Sequence, residues 1–108
     1  MSAREACQPL VVVPEGRIDA TVAPELDGQL IDLQAHAEQP ILVIDLANVT
    51  YISSSGLRVL LLAHRRQQAL GRRLVVRNPS PKIWHVMRMC GFDRVLEWCC
   101  PADSSSTS

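Results

Sequence analysis

At 108 residues, 47% of them hydrophobic, the chain has the size of one compact domain with a real core and is too short for two. Eleven basic residues balance eleven acidic ones, which argues against bulk attraction to nucleic acid or to an anionic membrane. No apolar run reaches membrane-spanning length and Met1–Ala6 shows no apolar signal segment, so a cytoplasmic protein without membrane insertion is expected.

Charge is unevenly spread along the chain. Residues 1–50 carry eight acids against Arg4 and Arg17, and residues 51–108 carry nine bases against Asp93, Glu97 and Asp103. This could give two faces of opposite sign, or the folded chain could interleave the charges. Cys7, Cys90, Cys99 and Cys100 form no C-x-x-C pair, and reduced thiols are expected. With His85, the last three cysteines lack a recognised metal-ligand spacing, so no metal and no cofactor are assigned.

In chain order, Leu10–Val13 reads as a strand interrupted by Pro14, hence an edge or a bulge, with a turn over Gly16-Arg17-Ile18-Asp19. Thr21 is the expected cap of a first helix with Pro24 near its start. Ala23, Leu26, Leu30, Leu33 and Ala37 form its buried stripe, and Gln39-Pro40 ends it. Ile41-Leu42-Val43-Ile44 is apolar at consecutive positions, which predicts a central strand buried on both faces.

Residues 45–62 are the most informative stretch. An apolar strand ends, a loop brings Ser53, Ser54 and Ser55 to the surface, and a leucine-rich helix runs from about Ser54 to Leu70, stopped by Gly71. A serine in the first turn of a helix is a hydrogen-bonding cap. A phosphate added there meets free backbone N–H groups and the positive end of the helix dipole. The segment suits a phosphorylation switch better than a catalytic pocket, and no catalytic residue is assigned.

Leu74-Val75-Val76 gives another strand. Pro79-Ser80-Pro81 opens a third helix with Ile83, Val86, Met87 and Cys90 on one side, ended by Gly91. Phe92–Leu96 is expected as a final strand, and Trp98 as an interface residue. Residues 1–100 are read as one domain and residues 101–108 as a disordered polar tail. The alternation of strands and helices defines an α/β domain.

Four stretches, in order, resemble the STAS domain and within it the bacterial anti-sigma factor antagonists. These are Glu15-Gly-Arg-Ile-Asp19 leading into Ala23-Pro-Glu-Leu26, then Ile41–Leu46, then Tyr51-Ile-Ser-Ser-Ser-Gly-Leu-Arg-Val-Leu60. The last comprises Gly71–Val76, Asn78-Pro-Ser-Pro and Gly91-Phe-Asp. The resemblance implies an α/β, STAS-like single domain, a mixed four- to five-stranded sheet with three main helices packed against it. It also implies an antagonist that, unphosphorylated, binds an anti-sigma factor doubling as a serine kinase. Phosphorylation would release it and a PP2C-like phosphatase would reset it.

Counting back two places from Gly56 puts the phosphoacceptor at Ser54, with Ser53 and Ser55 as alternatives, and Ser53 stands where the family often has aspartate. Asp19, Ser53, Ser54, Ser55, Gly56, Leu57 and Arg58 are the expected partner-binding residues, and Gly56 is read as leaving room for a partner's backbone. The family's first strand and final helix are expected to be short or absent. The alternative is a STAS accessory or scaffold module of a transport or stress-signalling complex that is not phosphorylated.

Overall fold

The computed structural model describes residues 9–99. Among them the chain forms β1 (Leu10–Val12), β2 (Gly16–Ile18), α1 (Ala23–His36), β3 (Ile41–Asp45), β4 (Val49–Ile52), α2 (Ser54–Ala69), β5 (Arg73–Arg77), α3 (Pro81–Met89), α4 (Phe92–Val95) and β6 (Glu97–Trp98). Cys7, Cys100, the tail over 101–108, and the expected shortening at the two termini lie outside the described residues.

The strands form a four-stranded sheet in the order β1-β3-β5-β6 and a separate pair, β2-β4. Among the described residues every pairing is parallel, so in place of the expected mixed sheet there is a parallel one of four strands beside a parallel pair. The two sheets follow from one double kink. Pro14 has no N–H to give a ladder, Gly16 sits at φ 76°, and the register slips between Gly16 and Arg17. On the facing strand a turn after Asp45 returns Val49 N–H to the Leu46 carbonyl at 3.1 Å, while Gly16 N–H donates to Asn48 at 2.8 Å. Two paired strands thus bend together. The turn expected over Gly16–Asp19 is instead strand β2, because Arg17 and Ile18 pair with Tyr51 and Ile52.

The core behaves as the apolar pattern requires. Leu42, Val43 and Ile44 of β3 are all buried between flanking strands and covering side chains. Leu30 of α1, Leu60 of α2, Val76 of β5 and Met87 of α3 are fully buried in the same cluster. The stripe of α1 departs from expectation. Ala23, Leu26 and Leu30 are buried, but Leu33 and Ala37 are half-buried and Gln34 takes the interior position.

Gln34 is tolerated there because its amide is satisfied. Its Nε2 donates to the Ala63 carbonyl (2.9 Å) and to Gln67 Oε1 (3.2 Å), and its Oε1 accepts from Arg66 Nε at 2.7 Å. Arg66 also holds Asp27 at 3.0 Å, and Gln67 donates to the Arg73 carbonyl at 2.7 Å. This polar seam fixes α1 against α2 and the start of β5.

Gly71 and Gly91 follow α2 and α3 at positive φ, as expected. Ser80 caps α3, accepting from Ile83 N–H at 3.2 Å. Cys90, expected on the buried side, is exposed. The final strand expected over Phe92–Leu96 is helix α4, since Leu96 N–H closes onto the Phe92 carbonyl at 3.0 Å, and only Glu97 and Trp98 extend the sheet. Trp98 is an internal joint: its Nε1 donates to the Phe92 carbonyl at 3.2 Å and its ring meets Trp84 edge-on at 4.8 Å.

Asp45, at the end of β3, joins that strand to the end of β5. Burial raises its pKa, but the Ala47 N–H, the Arg77 guanidinium and the Asn78 amide outweigh burial and hold it below the ordinary carboxylate range. A depressed folded-state pKa contributes stability that is complete above the unfolded value of about 4. That contribution is lost as pH falls through the lower folded value. Urea unfolding between about pH 2 and pH 7 should therefore show Asp45→Asn less stable at neutral pH with a shallower acid limb. Some slope should persist, because the hydrogen bond from Arg73 lowers the Glu97 pKa as well. An acid limb as steep as that of the unsubstituted chain would show that Asp45 does not contribute.

Candidate functional site: the serine loop and two helix starts

The parallel pair β2-β4 brings two distant parts of the chain to one end. Ile18 lies opposite Ile52, and Ser53 N–H donates to the Ile18 carbonyl at 2.9 Å. Asp19 and Ser53 therefore leave the ribbon side by side, and each opens a helix.

Asp19 turns the chain into α1. Its Oδ1 accepts from Thr21 N–H (3.0 Å) and Val22 N–H (3.1 Å), and its carbonyl accepts from Ala23 N–H at 2.8 Å. Asp19 thus takes the organising role that sequence pattern assigned to Thr21. The residue just ahead of α1 is Val22, which makes no side-chain cap.

Ser53 caps α2. Its backbone is extended (φ −90°, ψ 174°) and its Oγ accepts from Gly56 N–H at 3.3 Å. Serine and aspartate are both favoured caps, so the departure from the family's frequent aspartate leaves the helix start intact. Ser54 is the first helical residue and is exposed, whereas Ser55 is half-buried.

Gly56 serves the chain's own packing. A Cβ there would lie 2.7 Å from Ile52 Cγ1, 2.8 Å from Ile18 Cγ2 and 3.0 Å from the Ile18 carbonyl oxygen. The space expected for a partner's backbone is filled by these two isoleucines. Leu57 is buried in the core, so its side chain supports the loop from behind, while Arg58 is exposed. Of the seven expected residues, Asp19, Ser53, Ser54, Ser55 and Arg58 reach the surface at least in part, and Gly56 and Leu57 lie beneath it.

Two features escaped the sequence reading. Arg17 stacks over Tyr51 at 4.5 Å on the exposed side of the ribbon, just ahead of Asp19 and Ser53. Strand alternation signals it, since each precedes a buried isoleucine. A shallow groove of about 270 Å³ also runs between the first turns of α1 and α2, lined by Ala23, Pro24, Ser55, Arg58, Val59 and Leu62 among others. It depends on how two helices pack, and no local pattern encodes it. Among the described residues no three potential metal ligands cluster. No helix among them is long and apolar enough to cross a membrane.

The family model described as "Mlab, STAS domain" matches residues 1–97. The chain belongs to the STAS domain family. A Bordetella bronchiseptica protein named as an anti-sigma factor antagonist, BtrV, is 30% identical over 83 residues, covering 77% of this chain and 71% of that one. Solved structures share the fold. Unphosphorylated SpoIIAA, titled an anti-sigma factor antagonist, superposes with TM-score 0.67 at 17% identity, covering 92% of this chain and 81% of the other. Phosphorylated SpoIIAA from Bacillus gives 0.65 at 18% identity over 84% and 82%. A Thermotoga maritima protein named as an anti-sigma factor antagonist gives 0.73 at 19% identity over 82% and 77%. By homology and fold the chain is like the anti-sigma factor antagonists, and its α/β domain, with three main helices, shares their fold.

The loop's packing makes two substitutions informative. Gly56→Ala forces Ile18 and Ile52 apart and should destabilise by about 1–3 kcal/mol, the usual cost of overpacking. Ser53→Ala should cost about 1 kcal/mol through the lost cap, and Ser53→Asp should recover most of it. Urea denaturation read by circular dichroism checks both; a neutral Gly56→Ala would contradict the close packing.

Proposed function

We propose that the chain is an anti-sigma factor antagonist working by partner switching, with Ser54 as its phosphoacceptor. Unphosphorylated, it binds an anti-sigma factor that is also a serine kinase. Phosphorylation of Ser54 releases it, and a PP2C-like phosphatase restores it. Asp19, Ser53, Ser54, Ser55 and Arg58 form the exposed part of the docking face, with Gly56 and Leu57 shaping it from below.

One observation carries the choice of serine. Ser53 is committed to the cap and Ser55 is half-buried, which leaves Ser54 as the exposed hydroxyl on the first turn. A phosphate there adds about −1.5 to −2 charges at neutral pH. The helix start tolerates an anion, so the fold need not change. The partner's surface must instead accommodate a hydrated dianion where a small hydroxyl had been. A loss of about 3 kcal/mol weakens binding more than a hundredfold.

The alternative is an unphosphorylated accessory or scaffold module, a role for which the intact Ser53-Ser54-Ser55 run is not needed. Phosphopeptide mass spectrometry on the chain isolated from its own cells, with a Ser54→Ala control, separates the two. A phosphate lost in the variant is expected, together with at least a hundredfold weaker binding of Ser54→Asp to the cognate kinase. Phosphate on Ser53 or Ser55 would move the site. Its absence across growth and stress conditions would leave the accessory reading.

A further inference from the structure

The parallel strands give the domain two ends, and the serine loop occupies the one where β2 and β4 finish. At the other end α2 finishes, β5 begins and α3 turns into α4. There a groove of about 590 Å³ is lined by His85, Arg88, Met89, Cys90, Asp93 and Arg94, with Gly91 at the turn. Met89 is 75% exposed, the most open of the large apolar side chains described, and Val95 nearby is 46% exposed. Among the described residues neither Arg88 nor Arg94 has an ion-pair partner. Nothing in the serine switch uses this surface.

A complementary surface lies on α1. Its buried side faces α2, and its outer side exposes Glu25 and Asp32 beside Ile31, which is 45% exposed. Gly28 lies between them. A Cβ there would meet nothing within 4 Å, so the chain's own packing does not demand the glycine that weakens this helix. Among the described residues Asp32 is engaged only by His36, one turn on and equally exposed. We infer that the α3–α4 groove seats the outer face of α1 from a second copy of the chain. Arg88 and Arg94 then meet Glu25 and Asp32, and Met89 packs on Ile31 over Gly28.

Charge complementarity carries the choice of occupant. The acids concentrated in residues 1–50 and the bases in residues 51–108 put both halves of the contact on every copy while the net charge stays zero. The two patches are different surfaces of one molecule: α1 packs on α2, whereas α3 packs on β4 and α4. We take the contact as head-to-tail, one patch of each copy on the other patch of the next, an arrangement that extends unless its rotation closes a ring. Its small size makes it weak and sensitive to salt.

Sedimentation velocity on the full chain tests this, with reductant present because Cys90 and Cys99 are exposed. The weight-average mass should climb continuously with concentration at low salt and return to monomer at about 0.5 M salt, where the screening length is only a few Å. R88E/R94E and E25K/D32K should each associate at least tenfold more weakly while keeping their circular dichroism. Mixing the two should restore association, because the first retains its acidic helix and the second its basic groove. Met89→Ser placed in E25K/D32K leaves the charge unchanged and should weaken that mixture, which distinguishes seating in the groove from attraction between oppositely charged chains. A chain that stays monomeric throughout, either charge variant alone associating as tightly as the unsubstituted chain, or a mixture indifferent to Met89→Ser would each overturn the inference. Sedimentation of a monomeric chain with phosphatidylserine vesicles would overturn it too and reassign the groove to an anionic surface.

Discussion

The hydrogen bond from Ser53 N–H to the Ile18 carbonyl, with Gly56 packed onto Ile18 and Ile52 behind it, is the contact on which the rest of the site depends. It closes the β2-β4 ribbon at the point where both strands give way to helices. Without it, Asp19 and Ser53 would be ends of two unrelated segments, thirty-four positions apart in the chain. With it, two helix starts emerge together, each organised by a short oxygen-bearing side chain. Asp19 gathers the N–H groups ahead of α1, and Ser53 gathers that of Gly56 at α2. The one glycine the loop cannot exchange is the one that lets α2 approach the ribbon so closely.

That contact is local, and the polar seam between Gln34, Gln67, Arg66 and Asp27 extends its consequences along the helices. Helices meeting at one end through a small groove could still splay at the other. The seam pins the far halves of α1 and α2 together and ties α2 to β5 through the Arg73 carbonyl. A buried amide pair with its partners satisfied fixes position more narrowly than an apolar surface, because sliding by one residue would leave several polar atoms unpaired. The groove beside Ser55 and Arg58 is thereby held in one shape.

Much of this was legible in the chain. The consecutive apolar residues of β3, the serine loop followed by leucines, and the glycines ending α2 and α3 each carry a local physical signal, and each is found where that signal puts it. The ordered motifs resolved the family. What escaped was non-local or rested on side chains that could act in two ways. Gly16–Ile18 looks like a turn until Tyr51 and Ile52 supply a ladder. Gln34 looks like a surface residue until Arg66 and Gln67 satisfy it. Phe92, Val95 and Leu96 are spaced three and four apart, a helical signal overridden by the expectation of a closing strand. In the site, Ser53, Ser54 and Ser55 were recognisable as a group, yet only their burial and hydrogen bonds divide them into a cap, an exposed hydroxyl and a groove wall.

Under the proposed switch, the same division would let such a small domain be regulated without being remodelled. The residue that holds the helix start, Ser53, and the exposed hydroxyl proposed for modification, Ser54, are neighbours. A charge added to Ser54 meets backbone N–H groups already directed outward and leaves the Ser53 cap, the Gly56 packing and the buried Leu57 untouched. The free-energy change then falls on whatever is docked against the loop rather than on the fold. If Ser54 is the phosphoacceptor as proposed, an interior that the phosphate leaves unchanged would need no refolding step between the two states.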